Sequence, residues 1–423
     1  MFKWLKPKSV LLANDKQTCA QLLVHGQGVI LFQCSYSDLC LIQFHNKDKT
    51  NQLRVQFTPI NVFAIQNVEP LIDTSNQRGL CNQQGAYYWI SLDSQNQRLF
   101  AGIGEARIEN IIYEYSWTFS TKDAKTTNKT FLESLRYVSW HHTVSPSVLL
   151  RDPITQFVPM KVVHTDEITL DQIDGSDVVP HSFLSCVGKD LYDCISGKQF
   201  RLDDDEFPEF SQAIEHSIRT PGLWCYETLQ AKASDFNKEK PSIQETYLRI
   251  TLNANNGESP GIPFVMEIWP PTHFSPVHNH GGSHAIIRVL HGSIHVRLYP
   301  FLSQDTVQPC AEMDFNTNEV TWITPTLNQV HQLENLDANT TCITIQCYMY
   351  DENNLQHYDY FDYLDGHNEI QQFEPDSDMQ FTEFKQLMKQ EWTQFQLSQQ
   401  LQIDTIEKFT RVYQRPVTKQ FKF

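Results

Sequence analysis

The chain has 423 residues, 40% apolar and 20% charged, a globular composition too long for one ordinary core, so two domains are expected. Its formal charge of -17 argues against a nucleic-acid-coating role, which needs clustered Lys and Arg. No run of about 18 apolar residues exists to span a bilayer, the basic start MFKWLKPKSVLLANDKQ is too briefly apolar for a signal segment, and ten cysteines lie scattered without CxxC pairs, so a cytoplasmic chain with reduced thiols is expected.

In chain order, residues 1–203 read as a β-rich domain. GVILFQCSYSDLCLIQF and YYWISLDSQNQRLFAGIG alternate apolar with polar positions and are punctuated by Asn, Asp and Gly, as antiparallel strands are. The run from YWISLD through RLFAGIGEARIENIIYEY resembles farnesoic acid O-methyltransferase-like β modules, which implies a fold and no chemistry. Residues Thr169 to Phe200 look like the opening of cytochrome-b-type haem domains, but no axial-ligand region follows. The stretch SGKQFRLDDDEFPEF marks the expected boundary, its run Asp203 to Glu206 reading as a solvated linker or helix start.

The second domain, 204–423, should open with a helical lead-in over 210–235. Phe210, Ile214 and Ile218 recur at helical spacing until Pro221-Gly222, and a second helix runs from Cys225 towards Ala233. Strands and tight turns fill Tyr247 to about Tyr350. A helical tail over 379–413 offers Phe384, Leu387 and Trp392 as packing residues.

The stretch PVHNHGGSHAIIRVLHGSIHVRLYP holds five histidines. Side chains at i and i+2 share one face of a strand, so His278 and His280 present two imidazoles together, suited to one metal ion. AIIRVL should turn at His291-Gly292 and return as SIHVRLY, a hairpin in which Ile287 and Val289 face Ile294, Val296 and Leu298. A lone HxH also occurs on ordinary surfaces, as do single histidines such as His284, His291 and His295, so context must decide.

That context resembles the cupins, double-stranded β-helix barrels in which HxH precedes a Gly-centred turn and a third histidine arrives later, followed by Asn. Here VHQLEN supplies His331 and Asn335, and the position where cupins carry a Glu is Ala285. The resemblance therefore implies a mainly β fold, a cupin barrel with flanking helices beside the N-terminal β-rich domain, and a metal held by His278, His280 and His331 without a carboxylate. Imidazole suits Fe, Zn, Cu and Ni alike.

A three-histidine cupin resembles the thiol dioxygenases, cysteine dioxygenase above all, over roughly residues 210–366. ETYLRI matches the family's Tyr-x-Arg element through Tyr247 and Arg249. EIWPPTHFSPVHNHGGSH places Trp269 and His284 in register, and Tyr348, seventeen residues beyond His331, stands at the catalytic tyrosine. The resemblance implies iron(II) (Fe2+), catalytic Tyr348, Arg249 and Gln346, and substrate contacts from Arg249, Tyr247, Trp269 and His284. The partners implied are a small thiol and O2, with a sulfinic acid as product; oligomeric state is left open.

Three departures bear on this. The cysteine that crosslinks to tyrosine in animal enzymes would fall at Ala285. The family's Ser-His-Tyr relay becomes Thr344, Gln346 and Tyr348, and Gln346 cannot change charge near neutral pH. The family's Ser-Pro-Pro becomes MYDE, Met349 to Glu352. The alternatives are 3-mercaptopropionate as substrate, a cupin enzyme with another metal and substrate, and a non-catalytic ligand-binding or interaction module.

Overall fold

The computed structural model describes all residues except 1–8, 13–17, 73–77, 83–84, 118–121, 253–263, 305–307, 351–359 and 414–423. The altered wall expected at Asp351 and Glu352 lies outside the described residues. Among the described residues, no helix is long and apolar enough to cross a membrane.

Over residues 9–150 the alternating segments form two six-stranded antiparallel sheets. In Gln52–Phe57, Leu53, Val55 and Phe57 are buried while Gln52, Arg54 and Gln56 are partly exposed, the two-residue period of a strand with one face on a core. Both sheets contribute to one cluster, in which the Phe32 ring lies 5.4 Å from Phe57 and 5.9 Å from Tyr88. The first half is thus a β-sandwich closed on its own core.

The packing does not change where the sequence does. Lys161–Val163 pairs with Val178–Pro180 and with Val320–Ile323, deep in the second half. Leu191, Tyr192 and Ile195 of the helix Cys186–Ile195 share a core with Ile286, Ile345 and Cys347. These segments belong with the barrel, so the boundary expected at 203/204 falls too late. Within the acidic run Asp205 and Glu206 are exposed, while Asp203 and Asp204 are engaged just ahead of a helix start. Asp203 accepts from Ser211 N and Ser211 Oγ at 2.7 and 2.8 Å, and Asp204 Oδ2 accepts from Lys385 Nζ at 2.8 Å, so the run fastens two helices together.

The second half is built on an eight-stranded sheet. Its order is Val178–Pro180, Lys161–Val163, Val320–Ile323, His284–His291, Cys342–Met349, Phe264–Trp269, Leu248–Thr251 and Met379–Gln380. Against it stands a smaller sheet of Ala311–Asn316, Ser293–Leu298 and His331–Glu334, continued through His278 to the pair Phe361–Leu364 and Ile370–Phe373. The large sheet is buried on both faces. Its outward face (Leu248, Ile250, Met266, Ile268, Ile343, Ile345) packs on the helices Phe210–Arg219 and Phe381–Tyr413, where Phe384 is fully buried beside Phe210 and Trp224. Burying such a ring contributes about 1.5–3 kcal/mol. The inward face carries the polar side chains.

The hairpin expected around Gly292 does not form. His284–His291 pairs with Val320–Ile323 and Cys342–Met349, whereas Ser293–Leu298 pairs with Ala311–Asn316 and His331–Glu334 in the facing sheet. Gly292 makes the crossing at φ +72, with Thr341 O 2.7 Å from where a Cβ would stand, so only glycine fits. Val289 still meets Ile294, Val296 and Leu298, but through the barrel core and not along a ladder.

Candidate metal centre

Residues 277–279 run between two strands of the small sheet. His278 and His331 exchange both backbone hydrogen bonds at 3.0 Å, while Asn279 N and Leu364 N donate across the other side to Asp362 O and Val277 O. This register sets His278 directly opposite His331. His280, two residues on, joins them before the chain turns through Gly281 and Gly282, both at positive φ. The rings meet at centroid distances of 4.9, 4.8 and 4.6 Å, and one ligand nitrogen from each lies within 4.8 Å of the others. All three side chains are buried.

The protonation chemistry fits a cation. His278 Nδ1 lies 3.0 Å from Pro276 O, and since a carbonyl only accepts, Nδ1 carries the proton and Nε2 keeps its lone pair. His280 Nε2 and His331 Nε2 stand 3.0 Å apart, and His280 Nδ1 has no hydrogen-bond partner among the described residues. Burial lowers the His278 pKa to about 4 and holds His280 and His331 well below the usual imidazole value, with their mutual repulsion adding to it. Three neutral, converging nitrogen donors suit a divalent ion, and the donor set alone does not select which.

Alternation places the rest of the cavity. Arg249 pairs with Glu267 and Glu267 with Thr344 across three adjacent strands, so these side chains and their i±2 neighbours Tyr247, Trp269, Gln346 and Tyr348 share the inward face. The cavity lining joins the three histidines to Tyr247, Arg249, Glu267, Trp269, Gln346 and Tyr348. About 280 Å³ of space, open solvent at the mouth included, lies among these side chains, so the enclosed part is narrow.

Tyr247 stacks on Trp269 at 4.3 Å, and Tyr348 stacks on His280 at 5.5 Å. Burial, with the Glu267 charge adding, holds the Tyr348 phenol protonated well above its ordinary pKa. Arg249 Nε lies 3.9 Å from Glu267 Oε1, a charge pairing too long for a hydrogen bond.

The expected Thr344–Gln346–Tyr348 chain is rearranged. Tyr348 O–H donates to Gln346 Oε1 and Gln346 Nε2 donates to Glu267 Oε2, while Thr344 Oγ1 accepts from Trp269 Nε1 at 3.2 Å. The end of the chain is therefore a carboxylate that the sequence reading passed over. The signal was present in FVMEIW, a single acid in an otherwise apolar strand buried on both faces.

His284 is a second correction. It is buried but does not line the cavity, and its Nδ1 sits 3.5 Å from Ser185 Oγ on the helix side. Ala285, opposite Tyr348, takes the inward direction, so its neighbour must face out. Asn335 is structural: its Nδ2 donates to Trp269 O, Pro270 O and Thr340 O at 2.8–3.1 Å, closing the turn after the His331 strand.

Burial raises the Glu267 pKa to about 7, partly opposed by Arg249. A carboxyl with a raised folded pKa binds its proton more tightly when folded, so stability falls as pH rises from the unfolded value towards 7. Glu267→Gln should therefore unfold at higher denaturant concentration than wild type at pH 8, by up to about 3 kcal/mol, with the gap closing by pH 5. A gap of the same size at both pH values would refute the buried-charge origin.

No family model matches this chain. Several solved structures overlap part of it. The Schizosaccharomyces pombe Cnp3 cupin domain is 10% identical, covering 25% of this chain and 65% of its own, at a TM-score of 0.20. Oxalate oxidase bound to the substrate analogue glycolate is 15% identical over 26% and 54% of the two chains, at 0.21. The Cupin_2 domain of an XRE family transcriptional regulator from Enterobacter cloacae is 11% identical over 25% and 98%, at 0.20. The chain thus spans less than two thirds of the first two relatives. The C-terminal half is a barrel of two facing, mainly antiparallel sheets. The histidine cluster lies on the inner wall, so an ion held by it would sit between the two sheets.

Proposed function

We propose that this chain is an iron(II)-dependent thiol dioxygenase that converts cysteine, or a similar small thiol carboxylate, with O2 into the sulfinic acid. The observation that carries this reading is one small cavity holding three neutral imidazoles, no carboxylate among the converging ligands, and both Arg249 and Tyr348 in its wall. Iron(II), when bound, supplies the redox chemistry that joins both oxygen atoms to sulfur. His278, His280 and His331 hold it. Arg249 grips the substrate carboxylate through its planar fork, fixing where the thiol end lies. Tyr348 stays a phenol and offers its O–H to the reacting groups. The Tyr247–Trp269 stack forms one apolar side of the cavity wall.

Glu267 favours a second reading, a cupin enzyme with another metal or substrate. Its carboxylate already neutralises Arg249, and a substrate carboxylate must compete with it. One experiment separates the two: metal content of the purified chain, then O2 uptake with cysteine, 3-mercaptopropionate and cysteamine. Iron with thiol-dependent uptake and a sulfinate product supports the dioxygenase. Another metal, or no uptake with any of the three, supports the second reading.

A further inference from the structure

The N-terminal sandwich reaches the barrel through the GEAR segment, 104–107. Gly104 sits at φ +79 with Pro300 O only 2.2 Å from where a Cβ would be, and Glu105 N donates to that same oxygen at 3.0 Å. The Glu105 carboxylate then accepts two consecutive backbone N–H groups, Asn328 N on Oε2 and Gln329 N on Oε1, both at 2.8 Å. Arg107, almost wholly buried, braces the same loop by donating to Asn328 Oδ1 at 2.7 Å and to Val158 O at 3.1 Å, with its own charge met by Glu109 at 3.0 Å.

The loop so held leads directly into two of the candidate ligands. Gln329 stands two residues before His331, and its side chain spans to the other ligand segment: Oε1 accepts from Gly282 N at 2.9 Å and Nε2 donates to Ser283 O at 2.9 Å. Ser283 Oγ in turn donates to His280 O at 2.9 Å. Hydrogen bonds relayed through Gln329 and Ser283 therefore link a sandwich carboxylate to the His280 carbonyl and to the segment that leads into His331. Barrel strands fix His278 by themselves, but the turn after His280 and the approach to His331 are irregular chain that needs such support.

We infer that Glu105 is a positioning residue for the metal centre, so that the N-terminal sandwich is part of the site's scaffold and not an independent appendage. This rests on the reading of the three histidines as metal ligands. Glutamine at 105 has the same size but can accept only one of the two N–H groups while its own N–H2 opposes the other, which loosens the loop without removing packing.

The test uses the full chain and cobalt(II) as probe, read by titration and by the visible absorption of the bound ion. Glu105→Gln and Gln329→Ala should each bind cobalt roughly 10- to 100-fold more weakly, the range seen when supports of metal ligands are removed. They should also alter the absorption spectrum, and the double variant should lose little more than either single, because both act through one chain of bonds. Leu53→Ala, in the sandwich core, should lower thermal stability and leave cobalt affinity and spectrum unchanged. Wild-type affinity and spectrum in Glu105→Gln would overturn the inference alone, as would a matching loss in Leu53→Ala. A wild-type chain that binds no cobalt would overturn the metal reading and the inference with it.

Discussion

Replacing His331 with alanine should abolish metal retention while leaving the chain folded. The strand pairing at this position is carried by backbone groups, His331 N to His278 O and the reverse, and neither depends on the imidazole. What the substitution removes is one of three converging nitrogen donors, together with a desolvated ring whose Nε2 sits 3.0 Å from that of His280. The apo variant should therefore unfold no earlier than apo wild type. Its affinity for a divalent ion should fall by more than the roughly 10–100-fold typical of outer-sphere changes, because a ligand itself is lost. Metal analysis after dialysis and titration with iron(II) or cobalt(II) measure this. Stoichiometric metal in the variant would mean that the ion, if any, sits elsewhere. A collapsed apo variant would mean that the ring serves packing.

The parts of this site that could be read in the sequence are those governed by the two-residue period. Alternation alone puts His278 and His280 on one face, the resemblance supplied Tyr247 with Arg249 and Gln346 with Tyr348, whose i, i+2 spacing lets each pair share a face, and all six side chains line one cavity. His284 shows the limit of motif matching against the same rule. Its place in the family pattern suggested a substrate contact, while the alternation that turns Ala285 inward turns His284 out.

Other features depend on which strands meet, and local pattern does not encode that. The apolar sides of His284–His291 and Ser293–Leu298 are correctly marked, yet they face each other across a core instead of pairing, because Gly292 carries the chain from one sheet to the other. The same ambiguity hid Glu267, whose partners Arg249 and Gln346 arrive from strands on either side of its own. The domain boundary failed for a related reason. Polarity at Asp203 and Asp204 looked like a linker or helix start, but Ser211 in the helix that follows and Lys385, distant in sequence, turn those acids into fasteners.

Arg249→Ala should separate substrates by their charge. Under the proposed function its guanidinium is the cavity's group for a substrate carboxylate, and a hydrogen bond to a charged group is worth about 1.5–3 kcal/mol, so KM for cysteine and 3-mercaptopropionate should rise roughly 10- to 150-fold. Turnover of cysteamine, which has no carboxylate, should change little. The loss should not leave a stranded charge. Without Arg249 the Glu267 carboxyl, already raised to about 7 by burial, rises further and stays protonated at neutral pH, so the cavity remains close to neutral and the fold holds. Arg249→Lys keeps the charge but not the planar fork, and should fall between the two. Metal content must stay at the wild-type level throughout, since Arg249 reaches none of the three imidazoles through a bond that holds them. Equal KM changes for all three thiols would show that Arg249 shapes the cavity generally. Loss of metal would place it in the metal site's support and remove it from substrate recognition.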